Sequence, residues 1–99
     1  MENINSPSGA GGKAEGKAGA NVVNWVEKDN TLYRKFTFKN FSEAFAFMTK
    51  VAMEAEKQNH HPLWTNGWNT VEIWLNTHDA GDIVTEKDHQ LASKINELL

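Results

Sequence analysis

The chain has no cysteine, so no disulfide can hold it together. No run of apolar residues is long enough to span a bilayer. The first residues carry no apolar h-region, which argues against a secretory signal, and the same segment lacks arginine, which argues against a transit peptide. Basic residues do not dominate: ten Lys and Arg face thirteen Asp and Glu, a formal net charge of −3, and no basic stripe marks a nucleic-acid surface. The His-Glu-x-x-His pattern of helical zinc sites is missing too. Lacking both cysteine and signal, the composition favours the cytoplasm, with no membrane or nucleic acid as partner.

Ninety-nine residues make one domain at most. Residues 1–20 hold five of the seven glycines and only Ile4 as a sizeable apolar side chain after Met1. Such a segment buries too little to offset the entropy of ordering, so a disordered tail is predicted there. The folded domain is predicted over 21–99, about eighty residues, which is small for a self-sufficient core. It nevertheless carries all ten aromatic residues. Part of that surface is expected to lie in a subunit interface.

Val22 to Glu27 is β-branched and aromatic and ends in the turn-forming Lys28-Asp29-Asn30. Leu32, Arg34, Phe36 and Phe38 then share one parity of a strand, so the two runs predict a hairpin. Asn40 with Glu43 opens a helix. Phe41, Ala44, Phe45, Met48, Val51, Ala52 and Ala55 form its stripe, with Phe47 and Met53 widening the apolar surface toward a subunit contact. Pro62 to Thr65 and Thr70 to Thr77 predict two further strands around a turn. Thr85 with Asp88 opens a closing helix whose face is Leu91, Ala92, Ile95, Leu98 and Leu99. The order β-β-α-β-β-α predicts an α+β fold: a four-stranded antiparallel sheet with helices on one face.

Chemistry concentrates in Glu56-Lys57-Gln58-Asn59-His60-His61-Pro62, with His78 and Asp88 further on. Histidine exchanges protons near neutral pH. Pro62 forces His61 out of the helical region, so helix end, loop and strand start meet at the histidine pair. A helix C-terminus favours a protonated imidazole nearby. A lone His-His-Pro reads better as a solvated turn, but three histidines with acids at element ends point to proton transfer. Asp88 reads either as the third residue of a capping box or as a site residue, and Asp79 as a carboxylate orienting His78 or a loop acid. His89 is expected at the surface. A three-histidine metal site is the rival, disfavoured because His60 and His61 are neighbours. Among the four tryptophans, Trp64 is placed to wall a cleft for a flat heterocycle.

In these residues the sequence resembles the pterin-4a-carbinolamine dehydratases, also known as the dimerization cofactor of a homeodomain transcription factor. The resemblance runs from about Trp25 to Leu98. It includes Phe36-Thr37-Phe38-Lys39-Asn40-Phe41, Ala44, Phe47-Met48, Ala55-Glu56-Lys57, His60-His61-Pro62, Trp64, Asn69, Val71, Thr77-His78-Asp79, Asp88 and Leu91-Ala92. It implies dehydration of 4a-hydroxytetrahydrobiopterin in the recycling of a cofactor of aromatic amino acid hydroxylases. No cofactor or metal of the chain's own is implied. The catalytic residues it implies are His60, His61 and His78, with Glu56, Pro62, Trp64, Asp88 and Trp25 binding or orienting. A protein-binding module on the same fold is the alternative. Two departures stand out. Asn59 stands where many relatives have an aspartate, and the N-terminal helix usual in the family is not expected from the Gly/Ala/Lys-rich tail.

Overall fold

A computed structural model describes residues 23–99. The expected tail over 1–20, and any element within it, lies outside the described residues. The element order is β1 (Val26–Lys28), β2 (Thr31–Thr37), α1 (Phe41–Gln58), β3 (Leu63–Gly67), β4 (Thr70–Leu75) and α2 (Glu86–Glu97), with a short 3-10 turn at His78–Ala80 before α2. The sheet is antiparallel in the order β1-β2-β4-β3. This is the α+β architecture that the periodicities predict.

The first hairpin closes through Asp29 and Asn30, both at positive φ (53° and 63°) between the paired Lys28 and Thr31. Two left-handed residues match the twist of the flanking strands, and Asn and Asp tolerate that region best after glycine. The first strand is shorter than predicted. Asn24 sits at φ 69° in a turn, so pairing starts at Val26. Trp25 stays out of the ladder and packs into the core, its indole N–H donating to Asn96 Oδ1 at 2.8 Å.

Alternation sorts the sheet into two faces. Leu32, Phe36, Val71, Ile73 and Leu75 are buried under the helices. Arg34 shares that parity. Its guanidinium lies over the Phe36 ring and donates to Asn96 Oδ1, and burial lowers its pKa to about 10. On the other face, which the helices leave open, Val26, Tyr33, Trp74 and Leu63 are successive cross-strand partners in one row across all four strands.

In α1, Asn40 Oδ1 accepts from the Glu43 N–H, as the cap signal predicts. The predicted stripe holds at Ala44, Val51 and Ala55 but not at Phe41 and Phe45. Ala44, Phe47, Val51 and Ala55 are buried, whereas Phe41, Phe45 and Met53 are exposed. Spacings of three, four and four give a narrow core line. Phe47 belongs to that line, and the Phe41–Phe45 pair, with ring centroids 5.8 Å apart, lies outside it. In α2, Leu91, Ala92 and Ile95 are buried, Leu98 is half-buried and Leu99 exposed. Among the described residues, no helix is long and apolar enough to cross a membrane.

Candidate active site

The site begins where α1 stops. Asn59 adopts φ 52°, ψ 44°; its N–H reaches Glu56 O, and the His60 N–H reaches Ala55 O. These two bonds form a Schellman cap, which needs a left-handed residue at Asn59. The chain leaves the cap extended, so consecutive side chains fall on opposite faces of the sheet. His60 turns inward and is buried; His61 turns outward and is exposed.

His60 meets Asp88, which is fully buried. The His60 ring nitrogen Nε2 lies 2.5 Å from Asp88 Oδ1. A carboxylate only accepts, so Nε2 carries the hydrogen. Asp88 Oδ2 accepts from the Thr77 hydroxyl and from the Thr85 N–H, each at 2.8 Å. Because Thr77 gives its proton to Asp88, the Thr85 hydroxyl donates to Thr77 across 2.6 Å. Asp88 is thus both of the things its sequence position allows: the third residue of a capping box on α2 and the partner of a histidine.

His61 and His78 lie on the other face. Together they line an open cleft of about 250 Å³ whose remaining walls come from Pro62 and Leu63 at the start of β3, Trp74 on β4 with Asn76 just beyond it, and Thr31 on β2. Each imidazole has its own carboxylate. His61 Nε2 lies 2.9 Å from Glu56 Oε1, one turn back in α1. His78 Nδ1 lies 3.0 Å from Asp82 Oδ1. That hydrogen bond, with the charges of Asp82 and Asp79, raises the His78 pKa above its ordinary value. Asp79, which reads equally as an orienting carboxylate or a loop acid, acts on His78 only through its charge, and Asp82 makes the contact. Sequence reading did not single out Asp82, although it is four residues from His78 across a left-handed Gly81.

The predicted site residues therefore divide. His61, His78 and Pro62 line the cleft, and Glu56 supports His61. His60 and Asp88 form a buried pair that does not line it. Trp64, the expected aromatic wall, packs against the core beneath the helices, and Trp25 is part of that core. Trp74 lines the cleft instead. The Asn59 side chain makes no hydrogen bond to either histidine among the described residues. His89 is half-buried rather than exposed, and its Nδ1 has no hydrogen-bond partner there. Among the described residues, no three His, Asp or Glu side chains converge as a metal site.

The family model described as pterin 4 alpha carbinolamine dehydratase matches residues 13–98. A protein of Prochlorococcus marinus (strain MIT 9215) is 53% identical over 77 residues, which is 78% of this chain and 79% of that one. Another, from Afipia carboxidovorans, is 54% identical over 76 residues, 75% of each chain. Both carry the description "Putative pterin-4-alpha-carbinolamine dehydratase". Among solved structures, a transcriptional coactivator/pterin dehydratase from Brucella melitensis matches with a TM-score of 0.73 and 42% identity, over 77% of this chain and 82% of that one. A pterin dehydratase-like protein described as a RuBisCO assembly factor in the alpha-carboxysome shares the fold, with a TM-score of 0.61 and 24% identity, over 75% and 84% of the two chains.

Proposed function

Because the chain belongs to the pterin 4 alpha carbinolamine dehydratase family, we propose that it removes water from 4a-hydroxytetrahydrobiopterin, giving quinonoid dihydrobiopterin, in support of an aromatic amino acid hydroxylase. The observation that carries this reading is the convergence of His61 and His78, roughly 60 Å apart if the chain were extended, on one cleft. The reaction needs two proton movements. The 4a-hydroxyl takes up a proton and leaves as water while the N5 lone pair forms the C4a–N5 double bond, and the N5–H proton then passes to a base. Groups that titrate near ambient pH serve both steps.

The pairings suggest who does which. His61 gives its Nε2–H to Glu56, which leaves Nδ1 as an acceptor, so it is assigned as base. His78, held toward its protonated form by Asp82 and Asp79, is assigned as acid. His60 is the third group. It is buried on the other face of the sheet with Nε2 held by Asp88, and no proton transfer is assigned to it. The test is carbinolamine dehydration by the wild type, His61→Ala and His78→Ala. A wild type that accelerates the reaction, with each variant losing about 10²-fold or more, supports the assignment. A wild type no faster than buffer removes it.

A second reading rests on α1. The exposed Phe41–Phe45 pair and Met53, 48%, 54% and 68% exposed, are the kind of apolar surface that marks a protein contact. We assign this surface to subunit association in a homodimer or homotetramer, on a chain that needs no metal or cofactor of its own and acts in the cytoplasm. Phe45→Glu should shift the mass measured by light scattering to that of a single chain. A mass equal to that of the wild type argues against the assignment.

A further inference from the structure

We infer that the Trp74 indole is the platform on which the planar ring system of the substrate lies, with Asn76 reading its polar edge; this rests on the dehydratase reading above. The four tryptophans have four different surroundings. Trp25 is in the core, Trp64 packs beneath the helices, and Trp68 is exposed at the β3–β4 turn. Trp74 belongs to the face that no helix covers, and it alone of the four lines the cleft that holds His61 and His78.

Its position is fixed from both sides. Tyr33, the cross-strand partner on β2, backs the indole with ring centroids 5.3 Å apart and planes tilted by 42°. Tyr33 is itself held by its hydroxyl, which donates to Glu72 Oε2 at 2.6 Å. Leu63, the partner on β3, is 71% exposed and extends the apolar floor. Tilted aromatic neighbours held by a hydrogen bond lose little freedom when a ligand arrives, so the surface is ready before binding.

The chemistry of the walls matches a flat bicycle with one polar edge. Indole, leucine and proline offer a planar apolar bed; the histidines stand beside it. Asn76, two residues beyond Trp74 and therefore on the same face, carries a donor and an acceptor in one amide. A pterin ring presents a complementary pair of N–H and C=O groups along its pyrimidine edge. A ring stacked there would leave its other face, from which the 4a-hydroxyl projects, and its N5 edge open to the imidazoles of the same cleft.

The test compares Trp74→Leu, Trp74→Phe and Trp64→Phe with the wild type. Steady-state dehydration and tryptophan quenching by 7,8-dihydropterin are the readouts, and thermal melts check folding. Trp74→Leu keeps the apolar bulk and removes the π-face. It should raise KM and the dihydropterin Kd about tenfold while kcat stays within about threefold. Trp74→Phe should restore both to within about threefold, and Trp64→Phe should leave them near the wild type. A Trp74→Leu variant with wild-type KM and Kd overturns the platform while leaving the dehydratase reading intact. If the wild type proves inactive, that reading falls and quenching alone decides. Saturable quenching lost in Trp74→Leu upholds the platform, and no quenching in the wild type overturns it.

Discussion

One peptide bond separates His60 from His61, yet the thickness of the sheet separates their surroundings. His60 is buried against Asp88, itself tied to Thr77 and Thr85, whereas His61 is exposed and leans on an exposed Glu56. The two pairs have the same chemistry, an imidazole N–H on a carboxylate, and opposite energetics. A buried hydrogen-bonded pair that loses one partner leaves the other unsatisfied in the interior. An exposed pair that loses one partner gives it back to water at almost no cost. The fold has placed one histidine of the pair in structure and the other in solvent, where protons can be exchanged.

The comparison can be broken at either side. The largest effect is expected from Asp88→Ala. It removes the His60 partner, the acceptor for Thr77 and half of the α2 capping box, so unfolding should become easier by about 3–5 kcal/mol, read by urea denaturation. A loss below about 1 kcal/mol would show that the buried pair is not structural. Next comes Glu56→Gln. Stability should change by less than about 0.5 kcal/mol, while the dehydration rate falls several-fold as the His61 ring loses its anchor. An unchanged rate would remove Glu56 from the site.

The smallest effect sharpens the picture on the exposed side. The His78 pKa is raised by Asp82, so Asp82→Asn should move it down toward the ordinary histidine value, as followed by NMR titration. The sign follows from linkage. A histidine whose folded pKa is raised adds stability that is fully present below the unfolded pKa and lost as pH rises through the folded one. The variant should therefore differ from the wild type below that window and converge with it above. Full exposure makes the difference small in stability and visible mainly in the titration. A His78 titration unaffected by Asp82→Asn would mean that the contact does not form in solution.

How much of this was legible in the residues can be judged from particular positions. The hairpin at Asp29-Asn30, the Asn40 cap and the Thr85–Asp88 capping box are local chemistry, and each is present. The element order followed from period two changing to period near four. The helix phase was harder. Phe41, Phe45 and Phe47 are equally apolar, and only contact with Phe36 and Phe38, whose rings lie 4.8 and 4.9 Å from that of Phe47, decides which one turns inward.

The site was legible in part. By alternation, His61 and Leu63 at the start of β3 share a face with Trp74 on β4 and with Asn76 and His78 just beyond it, while His60 and Thr77 take the opposite one. Nearness to His-His-Pro in sequence points to Trp64 as the wall, but even spacing from His60 sends it under the helices. Trp74 is distant in sequence and is brought to the cleft by the Leu63–Trp74 register, which one strand alone does not specify. Asp82 likewise depends on the left-handed Gly81 that folds the loop back toward His78.

The left-handed turn at Asn59 has a consequence for how this chemistry can drift. Asparagine and aspartate both tolerate that backbone conformation far better than other side chains, so a carboxylate can be exchanged for an amide beside the histidines while the chain keeps its route. Local charge thereby becomes a dial that evolution or an engineer can turn with the scaffold standing still, whereas a bulkier residue there would move the imidazoles before it altered their chemistry.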